Sequence, residues 1–256
     1  MIRLDGVRFS YTGEDVVSDI SLEVGRGSFV GIMGPNGAGK TTLLKLIAGI
    51  LSPSAGKIYI SGVDLSLYSR RRLAREIAFV PQFEAIPFSF SAWEVVLMGR
   101  APHIGRFGIE GREDIMAARE AMLCTGTLHL KERCLNELSG GERQLVLIAR
   151  AIASGSPVIL LDEPTAFLDI KHEIRVMDVL RALNDGGVTI VAAMHDINLA
   201  VAYCRKILLL KGGRVFRFGS AEEVVTYANL REVFETDVYV GISEIDGRPY
   251  YVPIRR

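Results

Sequence analysis

The sequence predicts an α/β fold built on a parallel sheet, and three observations carry that prediction. A short apolar run enters a glycine-rich loop and then a helical pattern from Lys40. A second apolar run ends in the carboxylates Asp162 and Glu163. Strand–helix alternation then continues to about residue 210. The 256 residues, 49% hydrophobic and 23% charged, suit one large domain or two small ones with a full core.

From the amino end, Ile2, Leu4, Val7 and Phe9, then Ile20, Leu22 and Val24, alternate with polar residues around Gly13. They predict antiparallel strands with one exposed face. Residues 28–33 predict a strand, 40–50 a helix, and 57–60 and 78–81 two more strands around an Arg-rich helix at 70–75. The Arg70–Arg72 run reads as a solvated helix face. Between residues 83 and 153 the pattern turns helical, with Ile115, Ala118 and Met122, then Leu145, Ile148 and Ile152, at core spacing. Strands follow at 158–161, 188–193 and 206–210, with helices at 174–183 and 198–204. Residues 238–242 and 250–254 flank Asp246-Gly247 and predict a hairpin.

Lys plus Arg and Asp plus Glu number 30 each, so the chain lacks the charge excess of a general nucleic-acid binder. Cys124, Cys134 and Cys204 form neither a disulfide framework nor a ligand cluster, which suits a reducing cytoplasm. Asp5, Arg8 and Glu14 interrupt any leader-like apolar run. The apolar stretches fall far short of the ~20 residues that span a bilayer. The mean hydropathy of +0.26 is high for a soluble chain and predicts a surface partly covered by a partner.

The loop Gly34-Pro35-Asn36-Gly37-Ala38-Gly39-Lys40-Thr41 matches G-x-x-x-x-G-K-[ST] between a predicted strand and a predicted helix. Its glycines let successive N–H groups turn inward around a β-phosphate, and the helix start adds positive dipole character. Lys40 is expected to reach the β- and γ-phosphates, Thr41 to ligate Mg²⁺ and Thr42 to touch the α-phosphate. At the carboxyl end of the strand at 158–161, Asp162 is placed to hold Mg²⁺ through water and Glu163 to polarise an attacking water. A blander reading has both carboxylates capping the next turn.

Leu138-Ser139-Gly140-Gly141-Glu142-Arg143-Gln144 precedes an amphipathic helix and resembles the LSGGQ signature of ATP-binding cassette (ABC) ATPases. The phosphate loop, Gln82, Asp162-Glu163, Leu168-Asp169 and His195 stand in the order of that family, and the resemblance covers residues 2 to about 234. It implies a P-loop NTPase of the ABC ATPase fold: a RecA-like parallel-sheet core, an amino-terminal antiparallel β subdomain and an inserted α-helical subdomain. On that basis residues 1–236 are expected to form the ATPase domain, with the helical subdomain at about 84–153 and residues 237–256 a hairpin extension.

The resemblance also implies site roles. Ser139, Gly140 and Gly141 would face the γ-phosphate of ATP held by a second copy of the chain, sandwiching two nucleotides head to tail. Asp169 would lie at that interface near the other copy's phosphate loop. Gln82 would contact Mg²⁺ and the attacking water, His195 would bond the γ-phosphate and orient Glu163, and Tyr11 would stack on adenine. Glu142 departs from the family's Gln, and Ser139-x-x-Glu142 also reads as a capping box.

With one cassette and no predicted span, the resemblance implies a peripheral subunit on the cytoplasmic face of the membrane. It would dock on separate permease subunits and work indirectly with an extracytoplasmic substrate-binding protein, without nucleic acid. Phe83, Ile86, Phe88, Phe90 and Trp93 are the expected socket for a permease helix. Met98-Gly99-Arg100 with His103, and Asn229–Phe234, resemble importers of metal chelates such as ferric siderophores, haem or cobalamin. The alternatives are an importer ATPase for molybdate or a soluble ABC ATPase of iron–sulfur cluster assembly. A small-molecule P-loop kinase would leave the Leu138–Glu142 signature unexplained.

Overall fold

The computed structural model describes residues 1–82, 89–105 and 108–254. They divide into two compact units, Met1–Leu67 with Thr189–Arg256, and Tyr68–Val188.

The first unit opens with β1 (Ile2–Ser10) and β2 (Asp15–Val24), an antiparallel pair. Strand β3 (Phe29–Met33) is buried at all five positions, as a strand covered on both faces must be, and leads through the Gly-rich loop into α1 (Lys40–Ile47). Next come β4 (Ala55–Ile60) and β5 (Val63–Asp64). The sequence left the place of β4 open; it pairs antiparallel with β1 and so completes the amino-terminal sheet.

In the second unit α2 (Arg70–Glu76) feeds β6 (Ile77–Val80), and the helices α3 (Ala92–Leu97), α4 (Arg112–Thr125) and α5 (Gly140–Ala153) follow. Strand β7 (Val158–Asp162) runs parallel to β6, and α6 (Ile170–Asp185) closes the unit. Helix α5 buries Leu145, Val146, Leu147, Ile148 and Ala149 in succession, because α3, α4, α6 and β6 pack around it. Each large side chain so buried contributes roughly 1.5–3 kcal/mol.

The chain then returns to the first unit with β8 (Thr189–Ala193), α7 (Ile197–Tyr203), β9 (Lys206–Lys211) and β10 (Arg214–Gly219). Strands β8 and β9 flank β3 in parallel, and β10 pairs antiparallel with β9. Two short helices, α8 (Ala221–Val224) and α9 (Tyr227–Phe234), precede the hairpin of β11 (Val238–Ile242) and β12 (Pro249–Pro253).

Several residues read from the sequence as family marks are structural ties. Arg100 pairs with Asp114 at 2.9 Å and donates to the Ala153 carbonyl at 2.9 Å, while His103 bonds the Ser154 carbonyl at 2.7 Å. Together they close the carboxyl end of α5, where helix carbonyls lack partners. Asn229 likewise donates to the Glu223 and Val224 carbonyls. The arginine run is more than a solvated face. Arg71 donates to the carbonyls of Pro102 and Ile104, and Arg75 also bonds Pro102.

Candidate functional site

In the first unit the loop between β3 and α1 is closed by Lys40. Its buried ammonium donates to the Gly34 carbonyl at 2.7 Å and the Pro35 carbonyl at 3.2 Å. A cation folded back over a loop of glycines leaves that loop shaped for an anion. Gly39 takes φ +94°, and a β-carbon there would run into the Val16 carbonyl, so no other residue serves as the hinge into α1. Gly39 also caps α1 without a side-chain bond, whereas Ser69, Ser91, Ser139, Asp169, Asp196, Ser220 and Thr226 each supply one to their helices. Thr41 is half-buried and Thr42 buried in the first turn. Tyr11 is exposed beyond the end of β1, its ring edge-on to Phe9 at 4.8 Å. His195 is exposed between β8 and the cap of α7, Asp196.

In the second unit Asp162 is 4% exposed at the end of β7. Glu163 follows with φ +51°, a left-handed conformation that costs a non-glycine residue of order 1–3 kcal/mol and is concentrated at functional sites. The Gln82 side chain, just past β6, donates its amide N–H to Glu163 Oε2. The two parallel strands thus bring together two residues 81 positions apart. Two turns follow, with Ala166 N–H donating to the Glu163 carbonyl at 3.1 Å and Leu168 N–H to the Thr165 carbonyl at 3.3 Å. They deliver Asp169 to the start of α6, where its Oδ1 accepts the His172 N–H at 2.9 Å.

The start of α5 carries the full capping box. Glu142 Oε2 accepts the Ser139 N–H at 2.9 Å and the Ser139 hydroxyl at 2.8 Å, and Ser139 Oγ accepts the Glu142 N–H at 3.4 Å. These bonds, the backbone one foremost, hold the Glu142 carboxyl below its ordinary value. Ser139 and Gly140 are exposed, while Gly141 is buried. Around them lies a packing relation that sequence reasoning missed. A β-carbon on Gly141 would collide with the His172 ring, and one on Gly140 would touch Leu168 Cδ2 at 3.7 Å. The histidine gave no sequence signal, because a lone His three residues into a helix has no distinctive pattern.

The residues therefore divide between the two units. Gly34 to Thr42, Tyr11 and His195 belong to the first unit; Gln82, Asp162, Glu163, Ser139, Gly140, Gly141 and Asp169 belong to the second. Of the expected permease socket, Phe83, Ile86 and Phe88 lie outside the described residues, while Phe90, just before α3, and Trp93, in its first turn, are half-buried. Among the described residues no cluster of three or more His, Cys, Asp or Glu stands ready for a metal. Thr41 in the first unit, and Asp162 and Gln82 in the second, each carry oxygen donors of the kind that suits Mg²⁺, a hard ion that commonly binds through one or two carboxylates plus substrate phosphates. Also among the described residues, no helix is long and apolar enough to cross a membrane.

The sequence profile of the ABC transporter family matches residues 17–166. The cobalamin import ATP-binding protein BtuD of Halobacterium salinarum is 40% identical over 250 residues; the match spans 97% of this chain and 62% of BtuD. The chain thus spans less than two thirds of that relative's length. An inward-facing ABC transporter of metal-chelate type superposes with a TM-score of 0.87 at 34% identity, covering 99% of this chain and 97% of that one. The ATP-binding cassette MJ0796, solved as a dimer in a post-hydrolysis state with ADP and Pi, gives a TM-score of 0.75 at 33% identity over 86% of this chain and 98% of its own. With its phosphate loop, acidic strand end and serine–glycine signature in family order, the chain belongs to the ABC transporter family as an ATP-binding cassette.

Proposed function

We propose that this chain hydrolyses ATP as a homodimer and, from the cytoplasmic face of the membrane, drives import of a metal chelate through separate permease subunits. One observation carries the catalytic part: Glu163 is held at the end of β7 by a left-handed backbone and by the amide of Gln82. A carboxylate fixed in this way is a preorganised general base for an attacking water, worth typically 10²–10⁴-fold in rate.

The roles of the other residues follow from their chemistry. The Gly34–Thr42 loop and Lys40 hold the phosphates, Tyr11 offers a face to adenine, and Gln82 and His195 orient water and γ-phosphate. Thr41 and Asp162 each offer an oxygen to Mg²⁺, which would neutralise charge on the phosphates. Ser139, Gly140 and Gly141 supply donors at the start of α5 to the nucleotide of the partner copy, an arrangement suited to the charge that grows on the γ-phosphate. Phe167 and Ile170, 86% and 75% exposed on either side of Asp169, are apolar surface that a second copy would cover. The dimeric MJ0796 cassette supports that reading.

The names of the relatives support import, and cobalamin or a related metal chelate as cargo. The extracytoplasmic binding protein and the permease would carry the chelate itself, so no residue of this chain need touch it.

Replacement of the base is the test. Glu163→Gln should retain ATP binding, run as a dimer in gel filtration with ATP, and lose ~10²-fold or more in turnover. Near-normal steady-state hydrolysis by this variant removes Glu163 as the base. Uptake of labelled cobalamin, haem and ferric siderophore by cells lacking the gene identifies the cargo.

A further inference from the structure

We infer that His172 is a positioning residue that locks the signature and Asp169 into one rigid block, presented to the nucleotide of the partner copy. The inference rests on the shared-site reading above and assigns to it a residue that no motif contains.

The geometry is local to the start of two helices. The His172 side chain, ring atoms included, fills the space that a side chain on Gly141 would occupy. Its Nδ1 is 2.7 Å from Asp169 Oδ1. A carboxylate only accepts, so Nδ1 carries the proton and donates it. The same Oδ1 takes the His172 backbone N–H at 2.9 Å, and these two bonds hold the Asp169 carboxyl below its ordinary value. Leu168, one residue earlier, faces Gly140.

One imidazole therefore touches the backbone of a phosphate-facing glycine on one side and fixes an interface carboxylate on the other. Gly141 and Asp169 sit on different helices, and in the shared-site reading both address the same partner chain. Their spacing must be set to within a fraction of an ångström if two donors and a carboxylate are to meet a nucleotide together. A misplacement of about 1 Å in such a site costs on the order of 10²-fold. The ring supplies that spacing, with the glycine leaving room for it.

Two substitutions separate shape from hydrogen bonding. His172→Phe keeps a flat ring over Gly141 but cannot donate to Asp169; His172→Asn restores a donor at the Nδ1 position. His172→Phe should lower kcat about ten- to a hundred-fold with nucleotide affinity unchanged, and His172→Asn should recover most of the loss. Equal loss in both, or a loss of affinity matching the loss of kcat, overturns the inference.

Mixed dimers give the decisive readout. Each carries one Glu163→Gln and one His172→Phe, placed either on opposite chains or on the same chain. On opposite chains, the one surviving base works against an intact His172 from its partner; on the same chain, it works against the substituted one. The opposite-chain dimer should therefore be the faster by about tenfold. Equal rates, or the reverse order, reject the role for His172. Ser139→Arg run in the same two arrangements is the control. If it too shows no dependence on arrangement, the shared-site reading itself has failed; if it shows dependence and His172→Phe does not, only the inference about His172 falls.

Discussion

Removing the Glu142 side chain isolates the capping box from the signature's other duties, and its cost can be worked from the bonds. Glu142→Ala loses two bonds accepted from Ser139, at 2.9 and 2.8 Å, and the pairing with Arg133 at 3.9 Å. The Ser139 Oγ to Glu142 N–H bond remains, because the backbone amide survives. Caps of this kind are worth ~0.5–2 kcal/mol, and the exposure of the site puts the loss near ~1 kcal/mol. Helix α5 itself persists, since its stability comes from the run of buried residues from Leu145 onward. For a chain of this size ~1 kcal/mol lowers Tm by roughly 2–4 °C.

The effect also has a pH signature. The folded-state carboxyl lies below its ordinary value of 4.5, so its contribution is full above that value and is lost as pH falls through the folded one. Thermal unfolding followed by circular dichroism should therefore show a gap between wild type and Glu142→Ala at neutral pH that narrows below about pH 4. Glu142→Gln, whose amide oxygen still accepts from Ser139, should sit between the two with hydrolysis preserved. A neutral-pH Tm equal to wild type for the Ala variant, or a gap independent of pH, refutes the assignment of Glu142 to capping.

Two further substitutions probe the proposed nucleotide site. Lys40→Ala removes the cation that bonds Gly34 and Pro35 and should weaken ATP binding by about 10²-fold in a direct fluorescence titration; unchanged affinity would contradict the phosphate-loop assignment. Ser139→Arg should abolish hydrolysis by driving bulk and charge into the partner's site while each single chain still binds ATP, and full turnover in that variant would rule out the shared site.

The parts of this fold that were legible in the sequence are those with a local physical signature. The all-buried β3 and β7 read as unbroken apolar runs, and Ser139-x-x-Glu142 announced its own reciprocal bonds. The hairpin appeared through Asp246-Gly247, with β12 one residue earlier than read. What escaped depends on contacts between distant segments. The pairing of β4 with β1 joins residues as far apart as Ile2 and Ile60, and short strands give no sign of their neighbour. The left-handed backbone of Glu163 runs against residue preference and is held by tertiary structure, so the sequence could point to the carboxylate but not to its strain. The ring of His172 matters because of a glycine on another helix, a relation no spacing rule encodes. Arg100 and His103, which resemble the metal-chelate group, also finish a helix, a role that only the folded chain displays.

The carboxyl-terminal hairpin has a consequence for chemistry at the other end of a short helix. Arg248 donates to the Val201 and Ala202 carbonyls at 2.9 and 2.6 Å, filling the open end of α7. Asn198 grips Tyr251 of β12 through both its amide groups, at 3.0 and 3.2 Å. Helix α7 has only seven residues, too few to hold its own shape in water, and its cap Asp196 directly follows His195. The hairpin thus works as a splint: it braces the short helix whose cap follows the histidine, so the backbone that carries this imidazole is tied to residues some fifty positions further on.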